Sequence, residues 1–253
     1  MVDRSFADLS LAAWYDALNP WGPGDDFCLG YVMSASAVLD VGCGTGRLLG
    51  RARAAGQPGR LVGLDPAAAM LVQARRHEPG VEWVLGDLLA TDWRHAFDLV
   101  VMTGHAFQVL LRDEDVRRSL RAVRAALAEG GRFVFETRNP GARAWEAWTP
   151  ERVREAGDGT GRVVRVWHHV EGPVVGDRVT FAETFACDDW QAPVVSRTTL
   201  RFLAPDVLDA FLHEAGLTVV ERYGDWARGP LTPTSPEIIT VATPADLSGN
   251  DRP

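Results

Sequence analysis

Three glycines, and the acids that follow them at intervals, carry the clearest chemical potential in this chain. Gly42-Cys43-Gly44-Thr45-Gly46 comes directly after a short apolar run that holds Asp40 near its end. Glycine at such a turn lets the backbone take positive φ and lets a ligand approach without meeting a Cβ. If a helix starts at Arg47, the turn also offers unpaired backbone N–H groups to polar ligand atoms. A second acid, Asp65, ends the next apolar run about 20 residues on, an interval that suits either a dinucleotide or another adenosine-containing ligand. A third, Asp87, follows the run after that. A nucleoside needs one carboxylate for its ribose hydroxyls and another group to read the adenine amine, and Asp65 and Asp87 are placed for those tasks.

Further along, Met102-Thr103-Gly104-His105 closes a fourth apolar run and Glu136-Thr137-Arg138-Asn139 a fifth. Histidine is the side chain suited to take a proton near neutral pH. His105 is therefore the first candidate base, with orientation of its loop or a simple hydrogen bond to substrate as the competing role. His168-His169 is the second candidate, but neighbours on a strand point to opposite faces, so at most one can face a pocket. Glu136 and Arg138 suit a polar substrate or a structural ion pair. Trp21, Trp145 and the other tryptophans, together with Tyr15, can wall an apolar pocket or pack a core.

These residues need elements that bring them to one edge. The spacing predicts helices over 6–18 and from 25 or 26 to about 33. It then predicts strand 37–41, helix 47–55, strand 60–65, helix 66–76 with Pro66 in the first helical position, and strands 81–85 and 97–102. A long helix over 112–128, closed by Glu129-Gly130-Gly131, leads into strand 132–136. Past Asn139 the rhythm changes. A stretch rich in Trp and Arg over 142–155 precedes three antiparallel strands, 163–170, 174–185 and 194–202. A helix over 205–215 and strands 217–223 and 237–242 close the pattern. Strands alternating with helices in this way make an α/β fold: a doubly wound, mostly parallel seven-stranded sheet that binds ligands at its carboxyl edge. The candidate acids and His105 fall on that edge. The chain divides into an N-terminal helical lid over 1–35, a core over 36–140 and 204–244, an inserted β cap over 141–203 and a disordered tail over 245–253.

Composition narrows the chemistry. With 253 residues, 46% of them hydrophobic, a packed core is readily formed, and a net charge of −8 argues against a nucleic-acid or anionic-membrane surface. Arginine supplies every basic residue other than histidine, since lysine is absent, which excludes Schiff-base chemistry and a P-loop lysine. Cys28, Cys43 and Cys187 are far apart and form neither a disulfide framework nor a metal-ligand pattern, so no metal is expected. No signal peptide or membrane span is evident, and a cytoplasmic location is the expectation.

The runs V-L-D-V-G-C-G-T-G-R-L, L-V-G-L-D-P, W-V-L-G-D-L-L, F-D-L-V-V-M-T-G-H-A-F and L-A-E-G-G-R-F-V-F-E occur in that order. Together they resemble the class I S-adenosylmethionine-dependent methyltransferases, over residues 36 to about 138 and again from Pro205. The resemblance implies S-adenosyl-L-methionine as cofactor, with S-adenosyl-L-homocysteine as its product. It places Gly42, Cys43, Gly44, Thr45 and Gly46 by the methionine part, Asp40 near its amino group and Asp65 on the ribose diol. Pro66 and Met70 would flank the adenine, Asp87 and Leu88 would read its edge, and Met102 and Thr103 would line the substrate side. Tyr15, in a Trp-Tyr-Asp sequence, and the inserted sheet also resemble the small-molecule N- and O-methyltransferases of natural-product pathways, in which a helix covers the cofactor and the insertion walls the substrate. On that basis Trp21, Glu136, Arg138 and Trp145 would contact substrate and His105 would serve catalysis. The acceptor would be a small molecule, and the enzyme a monomer or homodimer with neither nucleic acid nor membrane as partner. The alternative keeps the cofactor site but catalyses a non-methylating reaction such as cyclisation, or only binds ligand. An NAD(P)-dependent oxidoreductase fits less well, because the turn is G-x-G-x-G and Asp87 would have no role.

Overall fold

The computed structural model describes residues 2–245, so the tail expected over 245–253 lies, from residue 246 on, outside the described residues. Three short helices open the chain: α1 (Arg4–Ala7), α2 (Leu9–Ala12) and α3 (Tyr15–Leu18). One helix over 6–18 was the expectation. The break falls at Asp8, whose carboxylate accepts from the backbone N–H of Ser10 and caps α2. Helix α4 (Pro23–Ser34) then starts at its proline, earlier than the acids suggest, with Asp25 accepting from the Gly22 N–H.

The alternating core follows: β1 (Ala37–Val41), α5 (Arg47–Ala54), β2 (Arg60–Asp65), α6 (Ala68–His77), β3 (Glu82–Leu85), β4 (Phe97–Met102), α7 (Asp113–Ala126) and β5 (Leu127–Arg138). Two boundaries correct the expectation. Pro66 stands outside α6, because Asp65 accepts from the Ala67 N–H and holds the entry turn. Helix α7 stops at Ala126, since Leu127 already pairs with Phe97 of β4, and the Glu129-Gly130-Gly131 turn becomes an irregularity inside β5. Within α7, Val116, Ser119, Leu120, Val123 and Ala126 form one buried stripe at helical spacing, and three acids occupy the first turn, where the helix dipole favours them.

The insertion forms a separate antiparallel sheet of β6 (Arg154–Gly157), β7 (Val163–Val170), β8 (Arg178–Cys187) and β9 (Val194–Arg201), in that order. Strand β6 falls in the stretch that the sequence leaves without regular structure. The chain returns through α8 (Pro205–Glu214), β10 (Leu217–Tyr223) and β11 (Glu237–Pro244). The main sheet has the order β10-β11-β5-β4-β1-β2-β3, with β11 antiparallel to both neighbours and the rest parallel. One sheet face packs on α7 and α8 through Leu39, Phe133 and Phe135 among others, and the opposite face packs on α4 and α5 through Val38, Val101 and Val134.

The N-terminal helices lie between the two sheets. Leu11, Trp14 and Leu18 pack on Val164, Val166 and Phe185 of the insertion, while Ala12, Phe6 and Tyr15 pack on Met70 and Ala67 at the start of α6. Hydrogen bonds from Ser5 N–H to Ser196 Oγ and from Thr198 Oγ1 to Asp3 tie α1 to β9. No helix among the described residues is long and apolar enough to cross a membrane.

Candidate active site

A cavity of about 670 Å³ lies over the carboxyl edge of the main sheet, roofed by the N-terminal helices and the inner face of the inserted sheet. Its floor is the glycine turn. Gly42, Gly44 and Gly46 all have positive φ (75°, 55° and 75°), and Gly42 and Gly44 line the cavity. Gly46 does not: a Cβ there would overlap the Trp83 ring, so packing, rather than ligand approach, demands that glycine. Cys43 turns into the core against Leu71, Ala74 and Trp83, where burial pushes its thiol pKa well up. Thr45 Oγ1 donates to Asp16 Oδ1 at 2.6 Å and fastens the turn to α3.

Asp65 organises the turn from the next strand. Its Oδ2 accepts from the Gly44 N–H at 2.8 Å and its Oδ1 from the Ala67 N–H at 2.7 Å. Burial pushes its carboxyl upward, against the pull of those two donors. Pro66, Met70, Asp87 and Leu88 continue the same wall. Asp87 uses Oδ1 to accept from the N–H groups of Leu89 and Ala90, capping a short 3-10 turn.

Across the cavity stands Tyr15. A Cβ added at Gly44 would lie 3.9 Å from its ring and one added at Gly104 3.7 Å from its hydroxyl, so the side chain bridges the glycine turn and the loop after β4. Burial raises its phenol to about 12, which keeps it a neutral hydrogen-bonding group. Met102, Thr103 and His105 line that loop. His105 has a left-handed backbone (φ 62°), held by its N–H donating to Glu136 Oε1 at 2.9 Å. Its ring Nε2 lies 3.1 and 3.0 Å from the two carboxylate oxygens of Glu237. Glu237 was not singled out from sequence. The signal for it is topological: an antiparallel last strand begins at the ligand edge, so its first residue belongs there.

Two carboxyl groups beneath the turn are buried and incompletely paired. Both oxygens of Asp40, and Oε2 of Glu136, have no hydrogen-bond partner. Burial first, then the charges of Asp65 and Glu136, push Asp40 up to about 8. Burial likewise raises Glu136. Orphaned buried acceptors of this kind are costly unless a donor arrives.

The substrate side differs in detail from the sequence reading. Trp21 stands apart from the cavity, half-buried on α4 and α5 with Arg47 and Arg51 over its ring, and Trp145 packs on Phe202. Trp148 lines the cavity in Trp145's place, beside His168, Phe181 and Glu183. His168 faces inward and its Nε2 lies 3.2 Å from Glu183; His169 is exposed. Strand alternation is the signal that could have found Glu183, since it shares the inward face of β8 with Phe181 and Phe185. Arg138 reaches the cavity, while Glu136 stays beneath it. Among the described residues no group of three or more His, Cys, Asp or Glu side chains is arranged to hold a metal ion.

This combination of sheet order, glycine turn and edge acids defines the class I methyltransferase fold, as the motifs imply. Residues 38–131 match the family described as "Methyltransferase domain". The 2-phytyl-1,4-naphtoquinone methyltransferase of Thermosynechococcus vestitus is 39% identical over 106 residues, 40% of this chain and 45% of that protein. The dTDP-4-amino-2,3,4,6-tetradeoxy-D-glucose N,N-dimethyltransferase of Saccharopolyspora spinosa is 33% identical over 54% of this chain and 49% of its own length. The chain thus spans about half the length of the curated relatives it matches. Among solved structures, an S-adenosylmethionine-dependent methyltransferase from Clostridium acetobutylicum superposes with a TM-score of 0.73, at 16% identity, covering 93% of this chain and 98% of that one. The S-adenosylmethionine-bound amino pentose methyltransferase of calicheamicin biosynthesis from Micromonospora echinaspora gives 0.67 at 26% identity, covering 92% and 95%.

Proposed function

We propose that this protein is an S-adenosylmethionine-dependent methyltransferase that acts on a nitrogen or oxygen of a small organic molecule in specialised metabolism. The observation that carries the reading is one continuous cavity that joins the glycine turn and Asp65 to His105, Trp148 and the inserted sheet. The methyltransferase domain match and the methyl-transfer activities named for the relatives favour this over a cofactor-binding protein with another chemistry.

The residues fit the cofactor. Asp40 offers two buried acceptors without partners to an amino group near the turn, Gly42 and Gly44 leave room for backbone contact, and Asp65 and Asp87 keep lone pairs for hydroxyls and an adenine amine. When bound, the cofactor supplies an electrophilic methyl on a sulfonium. The protein's task is then to align the acceptor and exclude water. Tyr15 and the N-terminal helices close the cavity over the turn. Met102 and Thr103 line the substrate side, and His105 takes a proton from the acceptor. The cover of N-terminal helices and inserted sheet over the cavity and the net charge of −8 favour a small acceptor over nucleic acid. Three free, buried cysteines suit a reducing, cytoplasmic location.

Thermal unfolding in the presence of S-adenosylhomocysteine tests the reading. A rise in Tm that Asp65→Ala abolishes is expected and, when S-adenosylmethionine is supplied instead, a mass gain of one methyl group on the acceptor. No shift at about 1,000 times a micromolar dissociation constant, where about 4 kcal/mol of stabilisation is due, overturns it.

A further inference from the structure

Arg138 ends β5 on the cavity wall with an unusual set of neighbours. Its Nη1 donates to Gln108 Oε1 at 3.0 Å, and its Cζ lies 5.4 Å from the centre of the Trp148 ring. Gln108 is fixed in turn: it is 1% exposed and its Nε2 donates to the Arg201 carbonyl at 2.9 Å. Among the described residues no carboxylate stands within ion-pair distance of the Arg138 guanidinium. The acids that act on it do so from beyond that distance: Glu237, which pairs with His105, and Glu136, whose Oε1 accepts from the His105 N–H while its Oε2 has no partner.

The contrast with Arg201 is instructive. That arginine is 8% exposed and is held by both Asp177 and Asp113, at 2.6 and 2.7 Å. The fold therefore pairs a buried guanidinium where pairing is structural. At Arg138 the direct contacts are a neutral amide and an aromatic face, and the carboxylates of Glu237 and Glu136 act on it only from a distance. A guanidinium cannot lose its proton under ordinary conditions, and a part-buried one on a cavity wall gains from an anion in direct, bidentate contact. Retaining it on a cavity wall makes sense where an anion arrives with the ligand. The Gln108 amide and the Trp148 ring fix the guanidinium plane from two sides, leaving its remaining N–H groups for a planar or tetrahedral oxyanion. Arg152 and Arg154 also line the cavity, Arg154 with its Nη1 donating to the Leu18 carbonyl.

We infer that the methyl acceptor carries an anionic group, a carboxylate or a phosphate, and that Arg138 is the subsite that binds it. The inference rests on the methyl-transfer reading above and adds to it the charge of the substrate. The Trp148 ring beside the guanidinium then sets the approach of the acceptor's adjoining apolar part.

The test uses the whole chain saturated with S-adenosylhomocysteine. Sodium phosphate and sodium acetate are titrated separately at constant ionic strength, and binding is read by calorimetry. At least one anion is expected to bind saturably, phosphate more tightly if the acceptor is a phosphate ester and acetate if it is a carboxylate. Arg138→Gln should weaken that binding at least tenfold while S-adenosylhomocysteine binds as in the wild type. If Arg138→Gln does not fold, Arg138→Lys serves, because a single ammonium loses the bidentate contact and the affinity must still fall. Absence of saturable anion binding in the wild type, or unchanged affinity in the variant that folds, overturns the inference. Failure of the wild type to bind S-adenosylhomocysteine overturns the methyl-transfer reading instead.

Discussion

The imidazole of His105 meets both carboxylate oxygens of Glu237, at 3.0 and 3.1 Å from the same ring nitrogen, Nε2. A carboxylate only accepts, so Nε2 holds the hydrogen and Nδ1 is left to receive a proton from an acceptor. The two residues come from opposite strand directions, the loop after β4 and the first position of β11. His105→Ala should lower kcat by about 100-fold or more, the usual worth of a positioned base. Glu237→Gln should lower kcat by a smaller factor with the KM for S-adenosylmethionine unchanged, because an amide can donate to Nε2 and reverse the ring's proton assignment. Steady-state kinetics that vary each substrate in turn check this. Equal loss of cofactor affinity in both variants would mean that the pair only holds the loop.

The parallel core was legible because its strands are short apolar runs with a polar residue at or near the end, and Arg60–Asp65 is the clearest case. The floor of the site followed from it, since Gly42, Gly44, Asp65 and Asp87 lie at strand ends. What sequence could not supply was the set of contacts between distant segments. Trp148 rather than Trp145 faces the cavity, a choice made by packing on Phe181 and Phe202. The N-terminal segment has helical spacing throughout, yet it must meet both α6 and the inserted sheet, and it breaks at the Asp8 cap to do so.

Asp65 combines a local structural duty with the role proposed toward ribose. Removing its carboxylate leaves the N–H groups of Gly44 and Ala67 without acceptors. Each such loss costs about 1–3 kcal/mol where water cannot replace the acceptor. Asp65→Ala should therefore lower the Tm of the free protein as well as abolish stabilisation by S-adenosylhomocysteine. Scanning calorimetry with and without ligand separates the two effects. A variant with an unchanged Tm would show that the turn holds itself.

Trp83 sets a second constraint behind the turn. Its ring lies against Gly46 and Gly63, and a Cβ at either glycine would overlap it. Gly63 has no positive φ, so Gly63→Ala isolates the overlap from backbone strain. Overpacking of this kind costs about 1–3 kcal/mol. The loss should be partly restored in the double variant Gly63→Ala with Trp83→Leu, measured by urea denaturation. If the double variant is less stable than the sum of the two single changes, crowding by Trp83 is not the cause.

Asp40 connects folding, pH and ligand binding through one proton. Its carboxyl stands at about 8 in the folded chain and at 3.8 when unperturbed, so at pH 7 folding takes up a proton. A raised native value means that the contribution to stability is fully present below the unfolded pKa and is lost as pH rises from about 4 to about 8. The Tm of the free protein should therefore decline more steeply across that window than the Tm of Asp40→Asn, which cannot titrate. A positive amino group brought to the turn acts in the opposite direction, favouring the ionised carboxylate. Binding of S-adenosylhomocysteine at pH 7 should then release protons, seen as a dependence of the calorimetric heat on the ionisation enthalpy of the buffer. In Asp40→Asn that dependence should disappear. Proton release of the same size in wild type and variant would place the linked group elsewhere, with Glu136 the next to test, since burial raises its carboxyl too and one of its oxygens also lacks a partner.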